Sequence, residues 1–245
     1  MIINNQPNRL NMGAKFTKKT RTMFFDLEYQ VPRDAQSSTY GSLLANPGRA
    51  NQKILGGSFC LLESTEVNNW PEDVTKIVLH NFWIWDYDND EKKMLEDILQ
   101  YFRNSWDVMK GKEDREADLI VCGIGISRFD MPILAYRCNE LGVANNADVW
   151  ELLFTTKQVD LSNIGISYAT KNQKRGFKGH WVLYPTTANE LCREFGIKSH
   201  KPSGKKVWDM YENKEFDGIV KRTEGEVRDT IELYRRMRKR IFSGR

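Results

Sequence analysis

Cysteine and histidine are scarce in this sequence. Its 245 residues include four cysteines and three histidines, and neither type occurs at the paired spacing of a zinc site, which argues against a zinc hydrolase. Most of the cysteines lie in apolar runs, as expected for reduced thiols in the core of an intracellular protein. They are Cys60, Cys122, Cys138 and Cys192.

Long hydrophobic runs and a strong charge of either sign are missing as well. No apolar stretch is long enough to span a membrane, and the first residues lack the apolar segment of a signal peptide, so a soluble cytoplasmic protein is expected. The net charge of +4 permits a nucleic-acid partner without requiring one. Hydrophobic residues make up 40% of the chain and aromatic residues 11%, which is enough for the core of one large domain.

Apolar runs typical of β-strands come first in the chain. The first three are separated by turn-rich segments and fit an antiparallel meander, whereas the fourth is continuously apolar, like a buried strand of a parallel sheet. The predicted strands cover residues 24–29, 53–63, 76–86 and 118–125, and a short element follows at 159–161.

Helical periodicity occupies most of the remaining chain. The first predicted helix starts after the possible caps Asp88 and Asp90, and the second covers residues 127–142. The third runs from a capping box of Thr187 and Glu190 to Gly196, and the last covers residues 223–240. This order predicts one α/β domain over residues 21–245, with a mixed sheet flanked by helices. An irregular basic arm is predicted over residues 1–20, and the long polar segment 32–51 is predicted to form a flap beside the site.

The run FFDLEY, residues 24–29, contains two carboxylates in a predicted strand. Strand side chains alternate, so Asp26 and Glu28 share one face and Phe25, Leu27 and Tyr29 the other. The two carboxylates then stand about 6.5 Å apart and repel each other unless a cation neutralises them. A hard divalent cation suits oxygen ligands of this kind. The alternative is an edge strand with an acidic, solvated face.

Three further carboxylates occur on predicted helices. Asp130 opens a helix after a buried strand, where an aspartate is ordinarily an N-cap. Glu226 and Asp229 lie one turn apart on the last helix, in a charged run typical of a solvated face. Glu226 is in line with a less charged track that can pack inward, whereas Asp229 lines up with Arg222 and Arg236, as on a salt-bridged surface.

In three ordered segments the sequence resembles the DEDD-type 3′–5′ exonucleases of the RNase H-like superfamily. The resemblance is strongest to stand-alone relatives of the exonuclease domain of family-B DNA polymerases. FFDLEY matches the first motif, GISRFDMPIL (125–134) the second and RTEGEVRDTIELY (222–234) the third. Gly125 stands where the second motif often has Asn, and Tyr29 stands where a small polar residue is usual.

The resemblance implies four catalytic carboxylates that bind two Mg²⁺ or Mn²⁺ ions. Asp26, Glu28 and Asp130 match the first three ligands, and the alignment that retains most of the third motif makes Glu226 the fourth. In this alignment Arg222 replaces the usual tyrosine. If the third motif is aligned so that Asp229 is the fourth ligand, several other positions of the motif no longer match.

The implied activity is hydrolysis of single-stranded nucleic acid from the 3′ end to nucleoside 5′-monophosphates, with DNA favoured over RNA and a role in DNA repair or replication. The alternatives are a catalytically impaired nucleic-acid-binding module with the same fold, favoured by the altered third motif, and a protein-interaction scaffold. Basic loops over 171–178 and 198–206 are predicted to follow the strand. The candidate nucleic-acid-binding residues are Arg222, Lys201, Lys205, Lys206 and Phe129.

Overall fold

The computed structural model of the protein describes residues 21–31, 52–62, 70–107, 119–164, 187–198 and 206–243. Residues 240–243 are described by their backbone alone. Several predicted features lie outside the described residues: the basic arm, the flap over 32–51, the loop 171–178, and Lys201 and Lys205. Within the described ranges, no helix is both long and apolar enough to cross a membrane.

Five strands form one mixed sheet in the order β3-β2-β1-β4-β5. Strand β1 pairs antiparallel with β2 and parallel with β4. The outer pairs repeat this division, because β2–β3 is antiparallel and β4–β5 is parallel. The predicted RNase H-like sheet, an antiparallel meander extended by parallel strands, is confirmed. The strands are β1 Arg21–Gln30, β2 Lys53–Leu62, β3 His80–Trp83, β4 Leu119–Gly123 and β5 Lys157–Asp160.

Helices cover both faces of the sheet. Met23, Phe25 and Leu27 of β1 pack in one cluster with the buried residues of the first two helices. Phe24 points the other way and packs with the buried stripe of the last helix. The helices are α1 Glu91–Asp107, α2 Asp130–Glu140, α3 Asn146–Val149, α4 Ala188–Glu194, α5 Lys206–Glu212 and α6 Phe216–Ser243; a π-helical turn at Trp150–Phe154 continues α3, and residues 161–164 form a helical turn.

The third predicted strand is much shorter than its apolar run. Residues 76–86 were expected to be one strand, but only His80–Trp83 pair with β2. A 3-10 turn capped by Asp73 precedes the strand, and a second 3-10 turn, Ile84–Tyr87, follows it and ends at Asp88 with φ 54°. Beyond the strand, the chain no longer pairs with β2, and its apolar side chains pack on one another instead. Trp85 stacks on Trp83, the last residue of β3, with ring centroids 5.0 Å apart.

The last helix begins earlier than predicted, at Phe216 instead of Thr223. Its first turns contain Gly218 and several charged residues, so the apolar periodicity of a helix is weak there. The packing of this segment nevertheless holds it, because Phe216 stacks on Trp85 and Ile219 is buried. The capping box of Thr187 and Glu190 is present as predicted. Asp90 accepts the amide of Lys93 and so caps α1.

Candidate metal and active site

The site forms where β1 extends beyond its parallel neighbour. Pairing between β1 and β4 ends at Phe24 and Cys122, so the second half of β1 has an open edge on that side. Helix α2 starts beside this edge, and the amide of Leu27 donates to Oδ1 of Asp130 over 3.2 Å. A backbone donor left unpaired by the sheet therefore holds the first carboxylate of α2 near Asp26.

Tyr29 makes the second contact to Asp130. The register of β1 against β2 shifts between Glu28 and Tyr29, and the Tyr29 hydroxyl donates to Asp130 Oδ1 over 2.9 Å. Asp130 is the first residue of α2 and not its N-cap, which is Phe129. Its carboxyl therefore links the start of α2 to β1.

Asp130 has an unusual protonation equilibrium. Burial is the largest cause, followed by the negative charge of Asp26, and together they raise the pKa of Asp130 to about 8 despite the hydrogen bonds from Tyr29 and Leu27. A carboxyl whose charged form is disfavoured by burial and by a like charge is typical of a site that a cation completes.

Helix α6 adds a carboxylate from the opposite side. Asp26, Glu28 and Glu226 each offer an oxygen, and these oxygens lie within 4.8 Å of one another. Glu28 and Glu226 are each only 7% exposed. Of the two predicted candidates on α6, the structure therefore brings Glu226 to the strand pair, while Asp229 is half-buried and outside this group.

Arg222 lies among these carboxylates, not on the solvated track predicted for it. Its guanidinium contacts Glu28 Oε1 through one terminal nitrogen, and the other lies 2.6 Å from Glu226 Oε1. Thr223 also donates to Glu28 Oε1, over 3.0 Å. The prediction of a solvated face was wrong because two buried carboxylates attract the arginine inward.

This donor set fits divalent cations. All of its ligand atoms are carboxylate oxygens, the kind that Mg²⁺ and Mn²⁺ prefer. The three acidic groups of Asp26, Glu28 and Glu226 lie within 4.8 Å of one another, and Arg222 contacts two of them. Asp130 adjoins the cluster through its interaction with Asp26.

Asp160 is a structural part of the site that sequence reasoning missed. At the end of β5 it accepts the amides of Gly125 and Ser127, over 2.9 and 3.1 Å, and the Ser127 hydroxyl over 2.5 Å. Ser162 adds its amide and its hydroxyl. Burial raises the pKa of Asp160, but these hydrogen bonds outweigh it and hold the pKa below the usual value. The signal available in the sequence was the serine two residues after the aspartate, as in an Asx turn.

Asp160 therefore fixes the segment that leads into Asp130. Gly125 within this segment has φ +83°, a left-handed conformation that glycine adopts without strain. The predicted nucleic-acid residue Phe129 is half-buried against the core, and the Arg128 guanidinium lies 5.2 Å from its ring centroid. Lys206 is exposed at the start of α5.

Comparison with solved structures finds a likeness to a nuclease. The chain superimposes on the crystal structure of E. coli exonuclease I in complex with a dT13 oligonucleotide with a TM-score of 0.49 and 11% sequence identity, over 91% of this chain. The aligned part spans 43% of that protein's length. No family model matches the sequence, and no curated protein matches it.

Proposed function

We propose that the protein is a metal-dependent 3′–5′ exonuclease that hydrolyses single-stranded nucleic acid, with DNA favoured, to nucleoside 5′-monophosphates. The observation that carries the proposal is the convergence of Asp26 and Glu28 from β1 with Glu226 from α6, whose ligand oxygens lie within 4.8 Å of one another. The motif resemblance supports the same residues, and so does the mixed sheet.

Asp26, Glu28, Asp130 and Glu226 are the proposed ligands of two Mg²⁺ or Mn²⁺ ions. When bound, such ions supply Lewis-acid stabilisation to the attacking and leaving oxygens of a phosphodiester. The chain's own groups hold this arrangement: Tyr29 and Leu27 fix one oxygen of Asp130. The planar guanidinium of Arg222 matches phosphate oxygens, so we assign Arg222 to phosphate binding and not to general-base catalysis.

The sharpest test compares two carboxamide substitutions on one helix. We expect Glu226→Gln to lower exonuclease activity by about 100-fold or more, because it removes a ligand, and the matched control Asp229→Asn to change it little. Activity is measured as release of mononucleotides from a labelled DNA single strand, with matched RNA alongside. Glutamate is one methylene longer than aspartate, so we also expect Mn²⁺ to support more activity than Mg²⁺, which demands near-ideal geometry.

Two outcomes would contradict the proposal at different levels. An inactive Asp229→Asn with an active Glu226→Gln would make Asp229 the fourth ligand. Activity that survives EDTA, or that survives Asp26→Ala or Glu28→Ala in purified protein, would exclude metal-dependent hydrolysis at this site. Glu96→Ala, which changes an exposed acid on α1 across the sheet, controls for loss of a negative charge.

The second candidate function is a nucleic-acid-binding module without turnover. The specific observation in its favour is the Arg222 guanidinium, which occupies two of the proposed ligands. Such a module retains labelled single strands intact in Mn²⁺ while binding them with an affinity that falls as salt is added. The same time course separates the two functions.

A further inference from the structure

We infer that Arg222 is a built-in counterion that competes with divalent cations for Glu28 and Glu226, and that metal binding releases its guanidinium to a phosphate of the substrate. This inference rests on the proposed metal site and concerns how that site is filled.

The two ion pairs of Arg222 differ in burial from the other pairs on the same helix. The side chain of Arg222 is 7% exposed, and those of Glu28 and Glu226 are 9% and 8% exposed. The pair of Arg228 with Glu224 has the same four-residue spacing as Arg222 with Glu226 but side chains that are 24% and 25% exposed. Because water screens charges less in the buried position, Arg222 interacts with its carboxylates more strongly than a surface arginine does.

The guanidinium and a metal ion would draw on the same two carboxylates. Arg222 contacts Glu28 at Oε1 and Glu226 at Oε1, lying 2.6 Å from the latter. A cation bound between Asp26, Glu28 and Glu226 draws on lone pairs of these carboxylates and carries a charge of the same sign as the arginine. Binding of the cation and the present position of Arg222 therefore oppose each other.

The released side chain has a defined use. It is attached to α6 one turn before Glu226, so it remains beside the site wherever it moves. Its Nε is buried and has no hydrogen-bond partner among the described residues. A guanidinium with unused donors matches the oxygens of a phosphate, which it binds in a bidentate manner. The phosphate of a nucleotide or of a nucleic-acid strand is the ligand that can replace the two glutamates.

This exchange predicts coupling between metal and substrate. A phosphate that accepts Arg222 removes the competitor from Glu28 and Glu226, so nucleotide and metal should strengthen each other's binding. In the absence of both, the arginine offsets the repulsion between the carboxylates.

The test measures Mn²⁺ binding by isothermal titration calorimetry for the wild type, Arg222→Gln and the control Arg228→Gln. We expect Arg222→Gln to bind Mn²⁺ at least about tenfold more tightly than the wild type, and Arg228→Gln to bind with the wild-type affinity. Thymidine 5′-monophosphate should tighten Mn²⁺ binding to the wild type severalfold and to Arg222→Gln much less. Equal or weaker Mn²⁺ binding by Arg222→Gln overturns the inference.

A measurement on the wild type covers the case in which Arg222→Gln does not fold. The side-chain Nε–H of Arg222, followed by NMR, should exchange slowly with water in EDTA and rapidly at saturating Mg²⁺; unchanged slow exchange overturns the inference. The outcomes also separate this inference from the proposed function. Hydrolysis with equal Mn²⁺ affinities rejects only the counterion, whereas tight Mn²⁺ binding by Arg222→Gln without hydrolysis by the wild type rejects only the exonuclease.

Discussion

At the scale of single residues, Tyr29 and Asp130 define how the second half of the site is built. Asp130 is 5% exposed, and its Oδ1 accepts both the Leu27 amide and the Tyr29 hydroxyl. Tyr29 itself is held neutral, because burial and then the charge of Asp130 raise its pKa well above the usual value. A neutral phenol that donates to a carboxylate orients it without competing for a cation.

We expect Tyr29→Phe to lower exonuclease activity and Mn²⁺ affinity by about 10- to 100-fold, as is usual for a group that orients a metal ligand. The matched control is Tyr87→Phe, because the Tyr87 hydroxyl also donates to an aspartate, Asp97 Oδ2, over 2.8 Å, but at an exposed position away from the site. Calorimetric Mn²⁺ titrations and initial rates check both variants. Similar losses in the two variants would mean that Tyr29 acts only through stability.

The pKa of Asp130 gives a second residue-scale prediction. Burial and the charge of Asp26 raise this pKa to about 8, whereas an unfolded aspartate titrates near ~3.9. Between these values the folded protein holds a proton that the unfolded chain releases, so the free energy of unfolding of the metal-free protein falls as pH rises.

We therefore expect the free energy of unfolding of the wild type, measured by urea denaturation in EDTA, to fall between about pH 4 and about pH 8. Asp130→Asn cannot ionise, so it should lose less stability over the same interval. The difference between the two slopes isolates the contribution of this carboxyl. Parallel stability curves for the two proteins would show that Asp130 is ionised already at low pH.

At the scale of elements, α6 contains one site residue whose position follows from the sequence and one whose position does not. The stripe of Val227 and Ile231 is regular, so the helix and the inward position of Glu226 follow from spacing. The inward turn of Arg222 does not, because it depends on Glu28, which lies 194 positions earlier in the chain. Likewise, alternation places Asp26 and Glu28 on one face, but the contact of Tyr29 with Asp130 depends on a helix 101 positions later in the chain.

The glycines of α6 provide a test of this element. A Cβ added at Gly225 meets nothing within 4 Å, whereas one at Gly218 would lie 2.4 Å from Met210 Cε. Since glycine costs about 0.5–1 kcal/mol relative to alanine inside a helix, Gly225→Ala should raise the free energy of unfolding by about that amount. Gly218→Ala should gain less or lose stability. Urea denaturation measures both, and a destabilised Gly225→Ala would mean that the helix bends at this residue.

At the scale of the whole molecule, the layers separate the site from most of the core. Helices α1 and α2 cover one face of the sheet with Phe25 and Leu27 beneath them. The carboxylates Asp26 and Glu28 point to the other face, where α6 supplies Glu226. On the proposed function, we expect a nucleic-acid strand to approach from the side of α6. The chain carries a net charge of only +4, so local basic residues and not the overall charge must provide the attraction to phosphates.

The lysines around the start of α5 are the ones we expect to provide this attraction. Lys206 is exposed there, and Lys201 and Lys205 precede it in the sequence. Replacing all three with alanine should weaken binding to single strands of any sequence, because phosphate contacts do not distinguish bases. Each lost contact should also reduce the slope of log affinity against log salt by about 0.7 for a single strand.

The control removes two exposed lysines from a different helix, Lys92 and Lys93 of α1. Fluorescence anisotropy at several salt concentrations, in Ca²⁺ to limit hydrolysis, gives the affinity and slope for each protein. A change per lysine that is the same in both variants would mean that these charges act only through the field of the whole protein. A larger change per lysine at residues 201, 205 and 206 would place the path of the strand beside α5.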